Sequence, residues 1–358
     1  IVNLNLWDKN IRNLNGIERL SNLQVLKLGK NKIYSLKPLE GLNELTNLYL
    51  YKNPVTVLTP IKNLTKLKTL MIIDTKIKSI ESVKSLINLE TLYVKSNNIE
   101  NIDSLSNLFN LTSLNISDNK ITNLSSISSL YKLESLDISK NSISDLSYLK
   151  GLSVLETLSM NDNRISSLEG LESNISLKWI FARKNQLSDL NGLDNLVDLE
   201  KLIVDENNIT NISGIKNNKN IEVLSLYKNK VNDIRYLALL PYLTQLNLYD
   251  NQVKDLSGLS NSFYLEELLL DKNIISNIKP LENLTNLTNL SLGDNYLRNI
   301  SSLNNLVYLE NLDISYNEIR NIDIVRNFPY LEDLNVKDNK LSSHYVYSLV
   351  SDYVDVTK

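Results

Sequence analysis

Asparagine recurs every 22 residues along this chain, at Asn31, Asn53, Asn97, Asn119, Asn141, Asn163, Asn185, Asn207, Asn229, Asn251, Asn273, Asn295, Asn317 and Asn339. Lys9 and Thr75 interrupt the series but stand in phase, so no insertion or deletion occurs between residues 9 and 339. A fixed period of roughly 20 to 50 residues marks a solenoid, in which each repeat buries its apolar side against its neighbours. Such an array offers a long surface more readily than a reaction centre.

Apolar residues keep the same phase. Leu42, Leu45, Leu48, Leu50, Val55, Leu58 and Ile61 surround Asn53, and Leu284, Leu287, Leu290, Leu292, Leu297, Ile300 and Leu303 surround Asn295. This pattern is identified as that of the leucine-rich repeats, and the resemblance covers residues 1 to 341 in about sixteen copies. A short strand such as Tyr49-Leu50-Tyr51 sends Leu48 and Leu50 inward and Tyr49 and Tyr51 outward, because side chains alternate along a strand. Neighbouring strands stack in parallel. The turn that follows buries the asparagine, whose amide both donates and accepts and so can satisfy backbone groups of its own and the adjacent repeat. Thr75 can do part of this with a hydroxyl. Lys9 cannot be buried in this way, so the first repeat is expected to be irregular there.

The far side carries an apolar residue at every third position, as in Leu36, Leu39, Leu42 and Leu45. That spacing suits 3₁₀ or extended turns, and the segment is too short for a full crossover helix. The predicted fold is an α/β-type solenoid, mainly β: a leucine-rich-repeat arc, shallow and open, with a parallel concave sheet and 3₁₀ or extended convex turns.

The net charge is −3 and no basic stripe appears, which argues against nucleic-acid binding. No run of about 20 apolar residues exists to span a membrane. There is no cysteine, so the redox compartment stays open. The chain begins at Ile1, within a repeat and without an initiator methionine, which leads us to expect an N-terminal cap or signal upstream. The pattern fails after Leu341, where the next core position holds His344. Residues 342–358, with the aromatic tail His344 to Val354, are expected to cap the array or to begin a following domain.

The chemistry of catalysis is missing from the array. His344 is the single histidine and lies outside the repeats, so neither a Ser-His-Asp or Cys-His triad nor a His/Cys metal cluster can be built in them. The nine glycines are scattered singly, with no phosphate loop. No enzyme, cofactor or metal site is expected. The position before the ladder asparagine reads Asp118, Lys140, Asp162, Lys184, Glu206, Lys228, Asp250, Lys272, Asp294. Signs alternate, so each internal acid is expected between two lysines, a register device rather than a cation site.

The outward strand positions form columns of uneven chemistry. Residues 113 to 161 present only Ser, Thr, Asn and Asp there. On either side are aromatic clusters. One comprises Trp7, Tyr49, Tyr51, Met71, Ile73 and Tyr93; the other comprises Trp179, Phe181, Arg183, Ile203, Tyr227 and Tyr249. Both tryptophans of the chain fall on outward positions. Exposed apolar patches mark interaction sites, and Trp, Tyr and Arg are enriched at hot spots. These residues are the predicted partner-binding sites, for a protein or glycoprotein ligand in the concave groove. One far-side core position, leucine at Leu152, Leu196 and Leu240, becomes Asn174, Asn218 and Ser262, with Ile175 and Phe263 as candidates to fill the gaps.

The turn onto the far side carries Pro38, Pro60 and Pro280, or Gly16, Gly170, Gly192, Gly214 and Gly258. With Ile278-Lys279-Pro280-Leu281-Glu282-Asn283-Leu284, this resembles the bacterial internalin-like surface proteins. The opening Leu4-Asn5-Leu6 and Ile11-Arg12-Asn13-Leu14-Asn15-Gly16-Ile17 is similar to their first repeat. The resemblance implies a non-enzymatic adhesin or recognition module, extracellular or at the cell surface, and carries over no individual binding residue. The alternative is an intracellular scaffold resembling the leucine-rich-repeat regulator of protein phosphatase 1.

Overall fold

The computed structural model describes residues 1–349 and 354–357. It divides into two compact units, Ile1–Ile165 with Glu169–Ile180, and Ser166–Leu168 with Phe181–Lys358. Each unit is a mainly β leucine-rich-repeat solenoid. The first carries strands β1 (Asn3–Asn5), β2 (Val25–Lys27), β3 (Asn47–Tyr49), β4 (Thr69–Met71), β5 (Thr91–Tyr93), β6 (Ser113–Asn115), β7 (Ser135–Asp137) and β8 (Thr157–Ser159). They pair in parallel with a register of one repeat, as in Leu26↔Leu48 and Leu70↔Leu92. Strand β9 (Trp179–Phe181) contributes Trp179 and Ile180 to the first unit and Phe181 to the second.

The second unit continues with β10 (Lys201–Ile203), β11 (Val223–Ser225), β12 (Gln245–Asn247), β13 (Glu267–Leu269), β14 (Asn289–Ser291), β15 (Asn311–Asp313), β16 (Asp333–Asn335) and β17 (Asp355–Thr357). The register again steps by one repeat, as in Leu224↔Leu246 and Leu334↔Val356. Past Leu341, helix α1 (Ser343–Tyr347) stands where a 3₁₀ turn would, capped by Ser342. Val346 is buried and His344 is exposed. Within the expected tail His344 to Val354, residues 350–353 lie outside the described residues, as does residue 358.

The strands start two residues before the expected Tyr49-Leu50-Tyr51. The backbone ladder then runs on through Leu50, whose N–H donates to Met71 O at 2.7 Å, and Lys52, whose N–H donates to Ile73 O at 2.9 Å. It stops because the residue before the ladder asparagine takes left-handed backbone. Fifteen side-chain-bearing residues from Lys30 to Asp338 do so at this position, with φ near 50°. In the first repeat two residues, Asp8 and Asn10, are left-handed around an exposed Lys9, the expected irregularity.

The asparagines fill the predicted role. Asn207 Nδ2 donates to Ala182 O at 2.9 Å, Val204 O at 2.9 Å and Asp205 O at 3.1 Å, while its Oδ1 accepts from Leu187 N at 3.0 Å. One amide thereby ties its own turn to the preceding repeat. Thr75 has a single proton to give, and it goes to Asn97 Oδ1 at 2.7 Å. The far side forms 3₁₀ turns such as Lys37–Leu39 and Thr59–Ile61, with Pro38 and Pro60 where a first-turn N–H has no partner to lose.

Leu42, Leu45, Leu48, Leu50, Val55, Leu58 and Ile61 are all buried. Asn174 and Asn218 are fully buried as well. Asn174 Nδ2 donates to Leu149 O and Leu152 O, both at 2.9 Å. Asn218 Nδ2 reaches Leu193 O at 2.9 Å and Leu196 O at 2.6 Å. Both Oδ1 atoms lack a hydrogen-bond partner. Ile175 beside Asn174 and Phe263 beside the buried Ser262 do not fill the leucine's space: they are 55% and 48% exposed.

Candidate functional site

The strand face of the first unit brings the N-terminal cluster together. Tyr49, Met71 and Tyr93 stand opposite one another on β3, β4 and β5. Tyr51 and Ile73 follow on the next outward positions, and all five are half-buried. The Trp7 ring stacks on Tyr51, two repeats away, with centroids 5.7 Å apart and planes at 13°. It crosses the intervening repeat at Gly29, where an added Cβ would lie 2.2 Å from Trp7 Cζ3. The missing side chain is therefore the seat of the indole. Trp7 remains 38% exposed.

Lys27 Nζ lies 5.6 Å from the centre of the Tyr49 ring and Lys52 Nζ lies 5.2 Å from that of Tyr51. These are cation–π distances. Tyr93 OH shares a hydrogen bond of 2.9 Å with Ser113 Oγ. From there the face turns polar and satisfies itself. Asn115 Nδ2 donates to Asp137 Oδ2 at 3.0 Å, Ser117 Oγ donates to Asn115 Oδ1 at 2.6 Å, and Asn161 N donates to Ser139 Oγ at 3.1 Å. A network already paired within itself gains little from a partner.

Of the second predicted cluster, Trp179 belongs to the first unit, where it is 44% exposed. Phe181, Arg183, Ile203, Tyr227 and Tyr249 belong to the second. Phe181 and Ile203 are half-buried. The Tyr227 and Tyr249 rings lie 5.2 Å apart, tilted by 41°. Lys228 Nζ sits 5.1 Å from the first ring centre and Lys272 Nζ 5.4 Å from the second. The tyrosine beside each lysine favours its charged form, raising both ammonium pKa values. Arg183 is already engaged: its Nε donates to Glu206 Oε1 at 2.7 Å. That bond holds the Glu206 carboxyl below its ordinary range.

Two acids bracket the tyrosine pair. Asp205 Oδ1 accepts from Ser225 Oγ at 2.5 Å and from Tyr227 N at 3.1 Å. Asp271 Oδ1 accepts from Ser291 Oγ at 2.5 Å and from Gly293 N at 3.0 Å. Burial pushes both carboxyls above their ordinary range, against these hydrogen bonds. Beyond Asp271 the face continues as a groove of about 460 Å³ lined by Tyr249, Asp271, Lys272, Gly293, Asp313 and Tyr316, of which only Tyr249 belongs to the predicted cluster.

In the alternating series before the ladder asparagine, Lys184 and Lys228 both act on the Glu206 carboxyl between them; outside that series, at the same repeat position, Lys52 Nζ lies 3.8 Å from Asp74 Oδ2. Lys228 and Lys272, however, lie over tyrosine rings, so the row serves the aromatic face as well as the register. Among the described residues no group of three or more His, Asp or Glu is placed to hold a metal. Among the described residues no helix is long and apolar enough to cross a membrane.

Pattern alone passed over a second set of aromatics. Phe109 and Tyr131 stack at 6.4 Å and Tyr308 and Tyr330 at 5.9 Å, while Tyr242 and Tyr264 lie 6.5 Å apart, tilted by 42°. All lie on the turns that lead into the strands. Their 22-residue recurrence is the signal that could have found them.

Residues 109–151 and 131–173 each match the family described as Leucine Rich repeats (2 copies). No curated protein matches the sequence. Among solved structures, an internalin, InlF, of Listeria monocytogenes is 30% identical, with 83% of this chain and 88% of that one aligned and a TM-score of 0.79. A leucine-rich-repeat protein of Leptospira interrogans is 27% identical over 100% of this chain and 96% of its own, with a TM-score of 0.94. The functional domain of InlJ from Listeria monocytogenes shares the fold at 22% identity, over 94% of this chain and 73% of that one, with a TM-score of 0.80. That domain includes a cysteine ladder; this chain has no cysteine.

Proposed function

The chain belongs to the internalin-like leucine-rich-repeat proteins, and from that premise we propose that it is a non-enzymatic module that binds a protein or glycoprotein at the cell surface. The Tyr227–Tyr249 pair carries the reading. Two half-buried rings with a lysine beside each offer rigid apolar area and a polar rim, the composition of binding hot spots. Phe181 and Ile203 widen the apolar area, and Arg183 with Glu206 forms a charged border. Tyr49, Tyr51, Met71, Ile73 and Tyr93, with Trp7 on Tyr51, form a second anchor patch in the first unit. Trp179, large and exposed, adds a further contact.

An extracellular or surface location is proposed from kinship with the internalins. The test is capture of surface-labelled host proteins by the full chain, by Tyr227→Ala/Tyr249→Ala and by Tyr49→Ala/Tyr51→Ala. Each double substitution is expected to weaken capture at least tenfold while the circular dichroism spectrum stays unchanged. Capture equal to wild type by both variants would sink the anchor assignment.

A further inference from the structure

Leading into the strands of the second unit are two rows of side chains that the strand face does not use. Tyr242, Tyr264, Tyr308 and Tyr330 each precede a buried leucine, and Thr244, Glu266, Glu310 and Glu332 follow it. Both rows face outward: the tyrosines and glutamates are exposed and Thr244 is half-buried. The four tyrosines are more than half exposed. They pair, Tyr242 with Tyr264 tilted by 42° and Tyr308 with Tyr330 stacked at 18° between planes. Asn286, shorter than its neighbours, interrupts the tyrosine row and opens a groove of about 410 Å³ lined by Glu266, Asn286, Thr288, Tyr308, Glu310 and Tyr330.

The acidic row is held at a fixed pitch. Thr244 N donates to Glu222 O, Glu266 N to Thr244 O, Thr288 N to Glu266 O and Glu310 N to Thr288 O, each at 2.9 Å. Residues joined in this way step by about 4.8 Å, so Glu222, Glu266 and Glu310, which alternate with threonine, recur every ~9.6 Å. In the first unit the same rows neutralise themselves: Lys66 lies 2.7 Å from Glu44, Lys68 2.8 Å from Glu90 and Lys178 3.2 Å from Glu156. From Glu222 to Glu332 the rows hold no lysine or arginine. Among the described residues none of Glu222, Glu266, Glu310 and Glu332 has a cation within ion-pair distance, whereas Glu90 and Glu156 of the same row in the first unit do.

We infer that this flank docks a cationic polyproline-II segment of a protein partner. Three residues of polyproline II advance about 9.3 Å, so a lysine or arginine at every third position meets successive glutamates. A β-strand repeats a face every ~6.6 Å and falls out of step. Stacked tyrosines supply the flat apolar lining on which proline rings pack, and their faces attract the cationic stems. The preformed helix loses little entropy on binding. Uncompensated negative charge turns away nucleic acid and anionic lipid.

The test is fluorescence anisotropy of a labelled peptide of five Pro-Pro-Lys repeats titrated with the full chain. Saturable binding is expected, weaker at high salt, and weakened about fivefold or more in Glu266→Gln/Glu310→Gln, whose exposed amides leave the fold intact by circular dichroism. Tyr308→Ala/Tyr330→Ala is expected to weaken it similarly. Binding should persist in Tyr227→Ala/Tyr249→Ala, which separates this site from the strand face. No binding, equal binding by the Gln variant, or equal binding of a Gly-Ser-Lys peptide of the same charge would each overturn the inference.

Discussion

At the scale of the residue, one amide does what a backbone turn cannot do alone. Removing Asn207 strands the carbonyls of Ala182 and Val204 and the N–H of Leu187 in the core. Buried groups left unpaired cost about 1–3 kcal/mol each before relaxation. Asn207→Ala is therefore expected to lower the unfolding free energy by about 3 kcal/mol in urea titration. Thr75→Asn, restoring the ladder, should raise it by about 1 kcal/mol. The ladder was legible because amide chemistry and period point to the same role. The left-handed backbone beside it was not, because Lys, Glu and Tyr share that position with Asp. Asp271 gives a pH signature. Burial raises its carboxyl, so the folded chain keeps this proton to higher pH than the unfolded chain does. The stability it contributes is present below the unfolded pKa of about 3.9 and is lost as pH rises through the folded value. Asp271→Asn keeps an acceptor for Ser291 and Gly293. It should be more stable than wild type at neutral pH, with the gain vanishing in acid; a gain that grew in acid would contradict the cause assigned.

At the scale of the element, the buried amides of Asn174 and Asn218 replace a leucine that the repeat otherwise uses. The carbonyls they reach are already served by the 3₁₀ turns, for Leu152 N donates to Leu149 O at 3.0 Å and Leu155 N to Leu152 O at 3.1 Å. The amide thus adds bonds to paired acceptors and leaves its own Oδ1 unpaired. Asn174→Leu is expected to stabilise the first unit by about 1 kcal/mol, measured as a shift in urea midpoint. Period and alternation told which residues share a column, so Tyr49, Met71 and Tyr93, or Tyr227 and Tyr249, could be grouped in advance. They could not tell that Arg183 is spoken for by Glu206, or that Trp7 reaches Tyr51. Those contacts depend on side-chain reach across repeats and, at Gly29, on an atom that is absent.

At the scale of the whole molecule, each repeat contacts its neighbours through identical positions, so stability approximates a sum over repeats and their interfaces. Deleting residues 120–141 joins Asn119 to Ser142 in the phase of Asn141. The shortened chain is expected to keep the circular dichroism line shape of the parent and unfold at slightly lower urea. Loss of the folded spectrum would show that the repeats are not interchangeable. Architecture was the most legible level because the same core signal is written many times over. The binding surfaces were least legible because their positions differ from repeat to repeat by design of the pattern itself.

The asparagine ladder also governs how such a chain can change over generations. Each amide bridges to the repeat before it by the same offsets, so gain or loss of 22 codons in frame leaves every bridge with a matching partner. Unequal recombination between repeats can therefore lengthen, shorten or reorder the outward columns without relearning the core. Inheritance can shuffle what the protein touches while leaving untouched how it stands.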